Sequence, residues 1–299
     1  MTRPLLQAEH VSKHFPVKNQ FGRAAGVLRA VDDVTFTVDR GETLGLVGES
    51  GSGKTTLGRC LLQMEAVTSG RIVYAGTELT GLAPAARRAT RRTMQVIFQD
   101  PYSSLNPQRT ALQQVMEPLQ VLAGDLDPAA RAAATLARVG ITGDSVHKLP
   151  RAFSGGERQR IGIARAIAVN PQFVVCDEPV SALDASIQAQ ILDLLAELQR
   201  DLGLTYLFIS HDLSVVRHLA TRTAVMHRGR LLELAPTAAL FDDPRHPYTQ
   251  ALLAAIPVPD PRAARAARAR GRPPAYAPPA EPGPATLAEV APGHFVAAA

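Results

Sequence analysis

The stretch Gly48-Glu49-Ser50-Gly51-Ser52-Gly53-Lys54-Thr55-Thr56 constrains this chain more than any other. It fits G-x-x-x-x-G-K-S/T, the phosphate-binding loop also called Walker A. The apolar run Thr43-Leu44-Gly45-Leu46-Val47 before it reads as a buried strand, and Leu57 to Met64 after it as a helix. Glycines let the backbone curl so that successive N–H groups point at phosphate oxygens. The helix adds its partly positive N-terminus. Lys54 supplies a point charge for the β- and γ-phosphates, and the Thr55 hydroxyl is placed to ligate Mg²⁺.

The chain has 299 residues, enough for one large domain or two modest ones, and 46% are apolar, so a sizeable core can be buried. Cys60 and Cys176 are far apart and suggest neither a disulfide framework nor a metal site, which suits a reducing cytoplasm. The N-terminus lacks the apolar core of a signal peptide, and no uninterrupted apolar window of about 18 residues is present to span a bilayer. The formal charge is +5. Arg262, Arg265, Arg268, Arg270 and Arg272 account for all of it, so the basicity belongs to a tail rather than to a groove for nucleic acid. Arg87, Arg88, Arg91 and Arg92 share one helical face, which reads as solvated.

Residues 5–15 read as one or two strands and 17–26 as a polar loop. Val34, Phe36 and Val38 alternate with Thr35 and Thr37, a half-buried strand. A β-rich N-terminal part therefore feeds a core of alternating strands and helices. From Pro101 to Pro150 helical patterns dominate, broken by prolines and glycines, like a helical insertion. Alternation then resumes, with strands at 172–176 and 205–209 and a closing hairpin around Arg228-Gly229. Such alternation implies a parallel, doubly wound α/β sheet. From about Val258 onward Ala, Pro and Arg dominate; this segment is expected to be disordered, with a basic strip on anionic headgroups as the alternative.

Ligands of open α/β sheets bind beyond the carboxyl ends of the strands. Four apolar runs here end in polar residues suited to nucleotide chemistry: at the phosphate loop, at Gln99, at Asp177-Glu178 and at Ser210-His211. Asp177 closing a strand is the Walker B pattern, with a carboxylate for Mg²⁺. Glu178 beside it can polarise an attacking water. His211 can position the γ-phosphate or that water. Ser154 with Glu157 three residues on is a capping box, and the helix it opens offers a second anion site.

Together these motifs resemble the ATP-binding subunit of ABC transporters, most closely the oligopeptide/dipeptide (peptide/nickel) importer ATPases. The match runs from residue 5 to about 260. Its residues are Gly48–Thr56, Gln99 in Ile-Phe-Gln-Asp-Pro-Tyr-Ser-Ser-Leu-Asn-Pro (Q-loop), Ser154-Gly155-Gly156 (signature), Cys176-Asp177-Glu178-Pro179 (Walker B), Ser181-Ala182-Leu183-Asp184 (D-loop) and His211 (switch histidine). The segment His246-Pro247-Tyr248-Thr249-Gln250-Ala251-Leu252-Leu253, with Ile256-Pro257-Val258-Pro259-Asp260-Pro261, is similar to that subfamily's C-terminal extension.

The resemblance implies a P-loop NTPase cassette over residues 5–256: a parallel-sheet core, an N-terminal antiparallel β-subdomain and a helical subdomain at about 100–165. The extension and tail would occupy 257–299. It implies an ATPase using ATP and Mg²⁺, with Glu178, His211 and Gln99 catalytic and Thr55, Gln99 and Asp177 toward the metal. Two cassettes would enclose two nucleotides head to tail, Ser154, Gly155, Gly156 and Glu157 of one facing the nucleotide of the other. Phe15 stands where such cassettes stack an aromatic on adenine, although a core Phe is the plain alternative. Implied partners are two transmembrane permease subunits, a second ATPase subunit (a sister chain or a second copy) and, indirectly, an extracytoplasmic peptide-binding protein, at the cytoplasmic face of the plasma membrane. Nickel or glutathione cargo, and a soluble ABC ATPase acting on nucleic acid or ribosomes, are the rival readings. One departure stands out: Glu157 occupies a position where the family usually has Gln, placing a negative charge near an anionic ligand.

Overall fold

The computed structural model describes residues 3–18, 24–124, 127–255, 276 and 286–297. Strands β1 (Leu6–Lys18) and β2 (Ala24–Val38) pair antiparallel. Val34, Phe36 and Val38 are buried and the threonines between them exposed, the period-two pattern expected. The pairing extends further than the sequence suggests, because Val17 faces Gly26 inside the stretch read as a loop. Val27 and Leu28 just beyond it are 60% and 57% exposed, so backbone ladder bonds carry that part of the hairpin without a buried apolar face to mark it. Residues 19–23 of the expected loop lie outside the described residues.

The chain then enters β3 (Thr43–Val47), buried at every position, and the helix Lys54–Leu61. β4 (Ser69–Tyr74) and the two-residue β5 (Thr77–Glu78) return to the first sheet, whose order is β2-β1-β4-β5. After the helix Pro84–Thr93 comes β6 (Met94–Ile97). A block of helices follows, with α-helices at Ala111–Pro118, Pro128–Arg138 and Gly155–Ile167 and a π-helical turn at Leu119–Ala123. β7 (Phe173–Asp177), the helix Ala185–Leu202 and β8 (Thr205–Ser210) resume the alternation. That helix buries Ile191, Leu194, Leu195 and Leu198 along one face and stops at Gly203, φ +62°.

After the helix Leu213–Leu219, strands β9 (Arg222–His227) and β10 (Arg230–Pro236) form the closing hairpin. The last strands are β11 (Leu287–Ala291) and β12 (His294–Ala297). The second sheet has the order β11-β12-β10-β9-β3-β8-β7-β6. Its five strands β9, β3, β8, β7 and β6 are mutually parallel, and β10, β12 and β11 add antiparallel. Apolar side chains pack into two clusters. One includes the helical block with Val174, Cys176, Tyr206 and Phe208; the other includes β1 and β2 with Leu46, Phe173, Val175 and Leu207.

One part of the segment expected to be disordered departs from that expectation. Residues 287–297 form a hairpin on β10, with Glu233 beside Val296 and Leu234 beside Phe295. Leu287, Val290, Phe295 and Val296 around the turn Pro292-Gly293 supply the apolar residues, and sheet pairing needs no more than that. The arginine-rich stretch 262–272 lies outside the described residues.

Candidate active site

Register alone brings the strand endings together. Val47 lies beside Ser210, Asp177 beside Ile209, and Ile97 beside Cys176. The phosphate loop, Gln99, Asp177-Glu178 and Ser210-His211 therefore leave the sheet at one edge.

The loop after β3 is shaped by two glycines. Gly48 has φ +151° and Gly53 φ +106°; a Cβ would lie 2.0 Å from the Met226 carbonyl oxygen at the first and 2.0 Å from the Ala30 carbonyl oxygen at the second. Glycine is demanded there by backbone conformation and by neighbours alike. Lys54, only 4% exposed, donates to the carbonyl oxygens of Gly48 at 2.7 Å and Glu49 at 2.8 Å and to Ser52 Oγ at 3.3 Å. An ammonium has three protons, and all three are used. Burial holds its pKa below the ordinary lysine value, against the opposing pull of Glu178, Asp177 and Glu49.

Thr55 Oγ1 donates to Asp177 Oδ1 at 2.9 Å, joining the root of the loop to the end of β7. Burial raises the Asp177 carboxyl above its usual range, with Glu178 adding to the rise and the Thr55 hydroxyl opposing it. A hydroxyl and a carboxylate side by side at a phosphate site are the hard oxygen donors that Mg²⁺ takes, so the residues fit that ion. Gln99, expected beside them, lines the same cleft as Thr55, and its Nε2 donates to Glu178 Oε2 at 2.9 Å.

Glu178 itself has φ +49°, a left-handed conformation uncommon for a residue with a Cβ. Its backbone N–H donates to the Ile209 carbonyl at 3.0 Å, which holds the turn. Its Oε2 also lies 3.1 Å from His211 Nδ1. One carboxylate oxygen thus gathers both flanking side chains.

Lys54, Thr55, Gln99, Glu178 and His211 line a cleft of about 970 Å³, together with Ser50, Gly51, Gly53, Thr56 and Phe15, a size suited to a small-molecule ligand. Asp177 lies behind it, bonded to Thr55. Phe15 is half-buried, with Lys13 Nζ 4.7 Å from its ring centroid. Leu28, Arg29, Ala30 and Arg228 line the cleft as well. Sequence reasoning missed them because β2 and the β9–β10 turn carry no motif. A second cavity, of about 510 Å³, lies between β1, β2 and the terminal hairpin and holds none of these groups.

The helix Gly155–Ile167 opens as its capping box requires. Ser154 Oγ accepts the Glu157 N–H, and Glu157 Oε2 takes the Ser154 N–H and hydroxyl, both at 2.8 Å. Those bonds hold the Glu157 carboxyl below its ordinary range. A Cβ on Gly156 would lie 2.5 Å from Ile187 Cγ2, so close packing explains that glycine. Asp184 caps the helix Ala185–Leu202 through the Ile187 N–H at 3.1 Å. Ser154 and Glu157 are exposed, and none of residues 154–157 lines the cleft.

Comparisons with known proteins bear on the family and the fold. Residues 31–181 match the ABC transporter family model, and residues 232–283 match the model of the oligopeptide/dipeptide transporter C-terminal region. A probable peptide ABC transporter ATP-binding protein of Sinorhizobium fredii is 50% identical over 277 residues, covering 89% of this chain and 76% of the relative. The oligopeptide transport ATP-binding protein OppF of Bacillus subtilis is 44% identical over 300 residues, covering 99% and 96%. A solved dimeric ATP-binding cassette bound to ADP and phosphate superposes with a TM-score of 0.70 at 26% identity, covering 78% of this chain and 98% of that one. Among the described residues no helix is long and apolar enough to cross a membrane. On these matches the chain belongs to the ABC transporter family, as an ATP-binding, ATP-hydrolysing subunit of the oligopeptide/dipeptide importer type.

Proposed function

We propose that this subunit drives uptake of di- or oligopeptides by closing on a second cassette around ATP. The observation that carries the reading is the separation of two anion sites. The cleft holds Lys54, Thr55, Glu178 and His211, while the Ser154 helix start stands outside it, exposed. An opposing cassette presenting its own Ser154–Glu157 turn over this cleft gives the second site a purpose. Asp184 lies on the adjoining helix cap, where it can meet the same partner.

Within the cleft each group has a task. Lys54 exchanges its two backbone carbonyl partners for the β- and γ-phosphates, and loop N–H groups from Gly48 to Thr56 surround them. Thr55 and Asp177 hold Mg²⁺, which when bound offsets phosphate charge. Glu178 takes the proton of the attacking water. His211 and Gln99 hold Glu178 Oε2, which leaves Oε1 for that proton, and general-base help of this kind contributes ~10²–10⁴-fold. Phe15 offers an aromatic face to the adenine.

Two transmembrane permease subunits anchor the pair at the cytoplasmic face of the membrane, with a binding protein delivering peptide on the other side. Gln99 leads into Asp100-Pro101-Tyr102. Tyr102 is 66% exposed with Arg158 3.8 Å over its ring, which places an aromatic between the nucleotide cleft and the helical block. Two curated relatives named for peptide transport support peptide cargo. A glutathione import ATP-binding protein of Escherichia coli is 47% identical over 268 residues, so glutathione stands as the second reading. The test is uptake into vesicles holding the native complex. ATP-dependent accumulation of labelled peptide that disappears with Glu178→Gln supports the proposal; accumulation of nickel or glutathione but no peptide overturns the cargo.

A further inference from the structure

Glu233 lies on β10 with 0% exposure, and its carboxylate gathers three groups from the C-terminal part of the chain. Oε1 accepts the Arg245 backbone N–H at 2.8 Å and lies 2.6 Å from His294 Nε2; Oε2 accepts the His246 backbone N–H at 3.0 Å. His246 caps the helix Pro247–Ala254, its Nδ1 accepting the Tyr248 backbone N–H at 3.0 Å. The Tyr248 ring is buried against His227, centroids 4.3 Å apart, with the Tyr276 ring edge-on at 5.6 Å. Its hydroxyl accepts the backbone N–H of Glu49 at 3.3 Å. A connected run of contacts therefore joins the terminal hairpin to the phosphate loop: His294, Glu233, His246, Tyr248, Glu49.

We propose that Tyr248 is a positioning residue for nucleotide binding, holding the phosphate loop at its exit from β3, and that the terminal hairpin sets this hold through Glu233. The proposal rests on the reading of the cleft as the ATP site. Residue 49 is the pivot of the loop. Its carbonyl accepts the Ser52 N–H at 3.2 Å and the Lys54 ammonium at 2.8 Å. Its N–H lies in the peptide plane shared with the Gly48 carbonyl, which also takes the Lys54 ammonium at 2.7 Å, so once Lys54 turns to phosphate the Tyr248 bond is the contact left holding that plane. With that plane fixed, the later N–H groups meet phosphate already ordered, and binding loses less conformational freedom. Burial pushes the phenol up to about 12, so the hydroxyl stays neutral throughout the physiological range and the contact does not titrate. Packing alone does not require the oxygen, since a phenyl ring fills the same space.

The test uses the full chain and MgATP. Tyr248→Phe keeps the ring and removes the acceptor. Kd and KM for MgATP rise about three- to tenfold, with the change concentrated in KM rather than kcat. Hydrogen exchange at the Glu49 amide accelerates while Leu46 and Val47 stay protected. His294→Ala raises Kd by about twofold or more, and His294→Gln, whose amide can still donate to Glu233, restores it. An unchanged Kd in folded Tyr248→Phe overturns the proposal. If that variant does not fold, equal Kd values for His294→Ala, His294→Gln and the wild type overturn it instead. A wild-type chain that binds no MgATP refutes the site reading, and the Glu49 exchange comparison still decides the role of Tyr248.

Discussion

His211 Nδ1 stands 3.1 Å from Glu178 Oε2, the same oxygen that takes the Gln99 amide at 2.9 Å. A carboxylate held from two sides is aimed before any substrate arrives. Glu178→Gln keeps the shape and loses the proton acceptor. Steady-state turnover falls ~10²–10⁴-fold, and equilibrium binding of MgATP changes by less than about twofold, within the effect of one exposed neutral hydrogen bond. Turnover within about threefold of wild type, against that ~10²-fold minimum, removes Glu178 from the base role.

Asp177 makes the opposite point about charge. Burial holds its pKa in the folded chain above the ordinary 3.8, so the folded state keeps that proton more tightly than the unfolded state. Ionisation therefore lowers stability, and the loss develops as pH rises above the ordinary value and persists at neutrality. Asp177→Asn, still able to accept from Thr55, raises the Tm of the nucleotide-free chain by about 2 °C at pH 7 and erases the gain near pH 3. Calorimetry in the absence of Mg²⁺ checks this. A lower Tm at pH 7 shows that the ionic form of the Thr55 bond outweighs desolvation.

Gly53 has no room for a methyl group, with the Ala30 carbonyl oxygen 2.0 Å from where a Cβ would stand and φ at +106°. Gly53→Ala costs at least about 2 kcal/mol and lowers Tm by about 5 °C or more. Nucleotide binding is lost with it, as fluorescence titration of the refolded variant reads out.

Glu157 is useful to its own helix and unhelpful to an anion. Replacing it with Gln retains the capping box and gives up about 0.3–1 kcal/mol of charge–dipole stabilisation. With that turn facing a partner's nucleotide, as proposed, ATP-driven association of cassettes tightens several-fold, because one negative charge leaves the facing surface. Light scattering with and without MgATP, on a Glu178→Gln background that blocks turnover, measures both states. Association no tighter than in the parent refutes the charge argument.

Much of this site is legible in the sequence because parallel strands buried on both faces are written as apolar runs that stop abruptly. Gln99, Asp177 and His211 follow such runs, and the register of β3, β8, β7 and β6 places them side by side. The capping box at Ser154 is local chemistry and equally plain. What stayed hidden depends on distance or on context. The Tyr248–Glu49 bond joins residues 199 apart and leaves no pattern. The hairpin 287–297 sits behind a stretch whose Ala, Pro and Arg content dominates any composition argument, although its Pro292-Gly293 turn between apolar pairs was the local clue. Near the outer end of the β1–β2 hairpin, Val17, Val27 and Leu28 pair while exposed, so periodicity says nothing of them.

The central claim is that one chain carries two halves of different sites. Specific ATPase activity, followed over a thousandfold dilution of the purified full chain, tests it most directly. The account predicts activity per chain that falls as the cassettes separate, or that stays negligible until a sister cassette is added. Activity per chain that holds constant down to concentrations where sedimentation shows only monomer contradicts it.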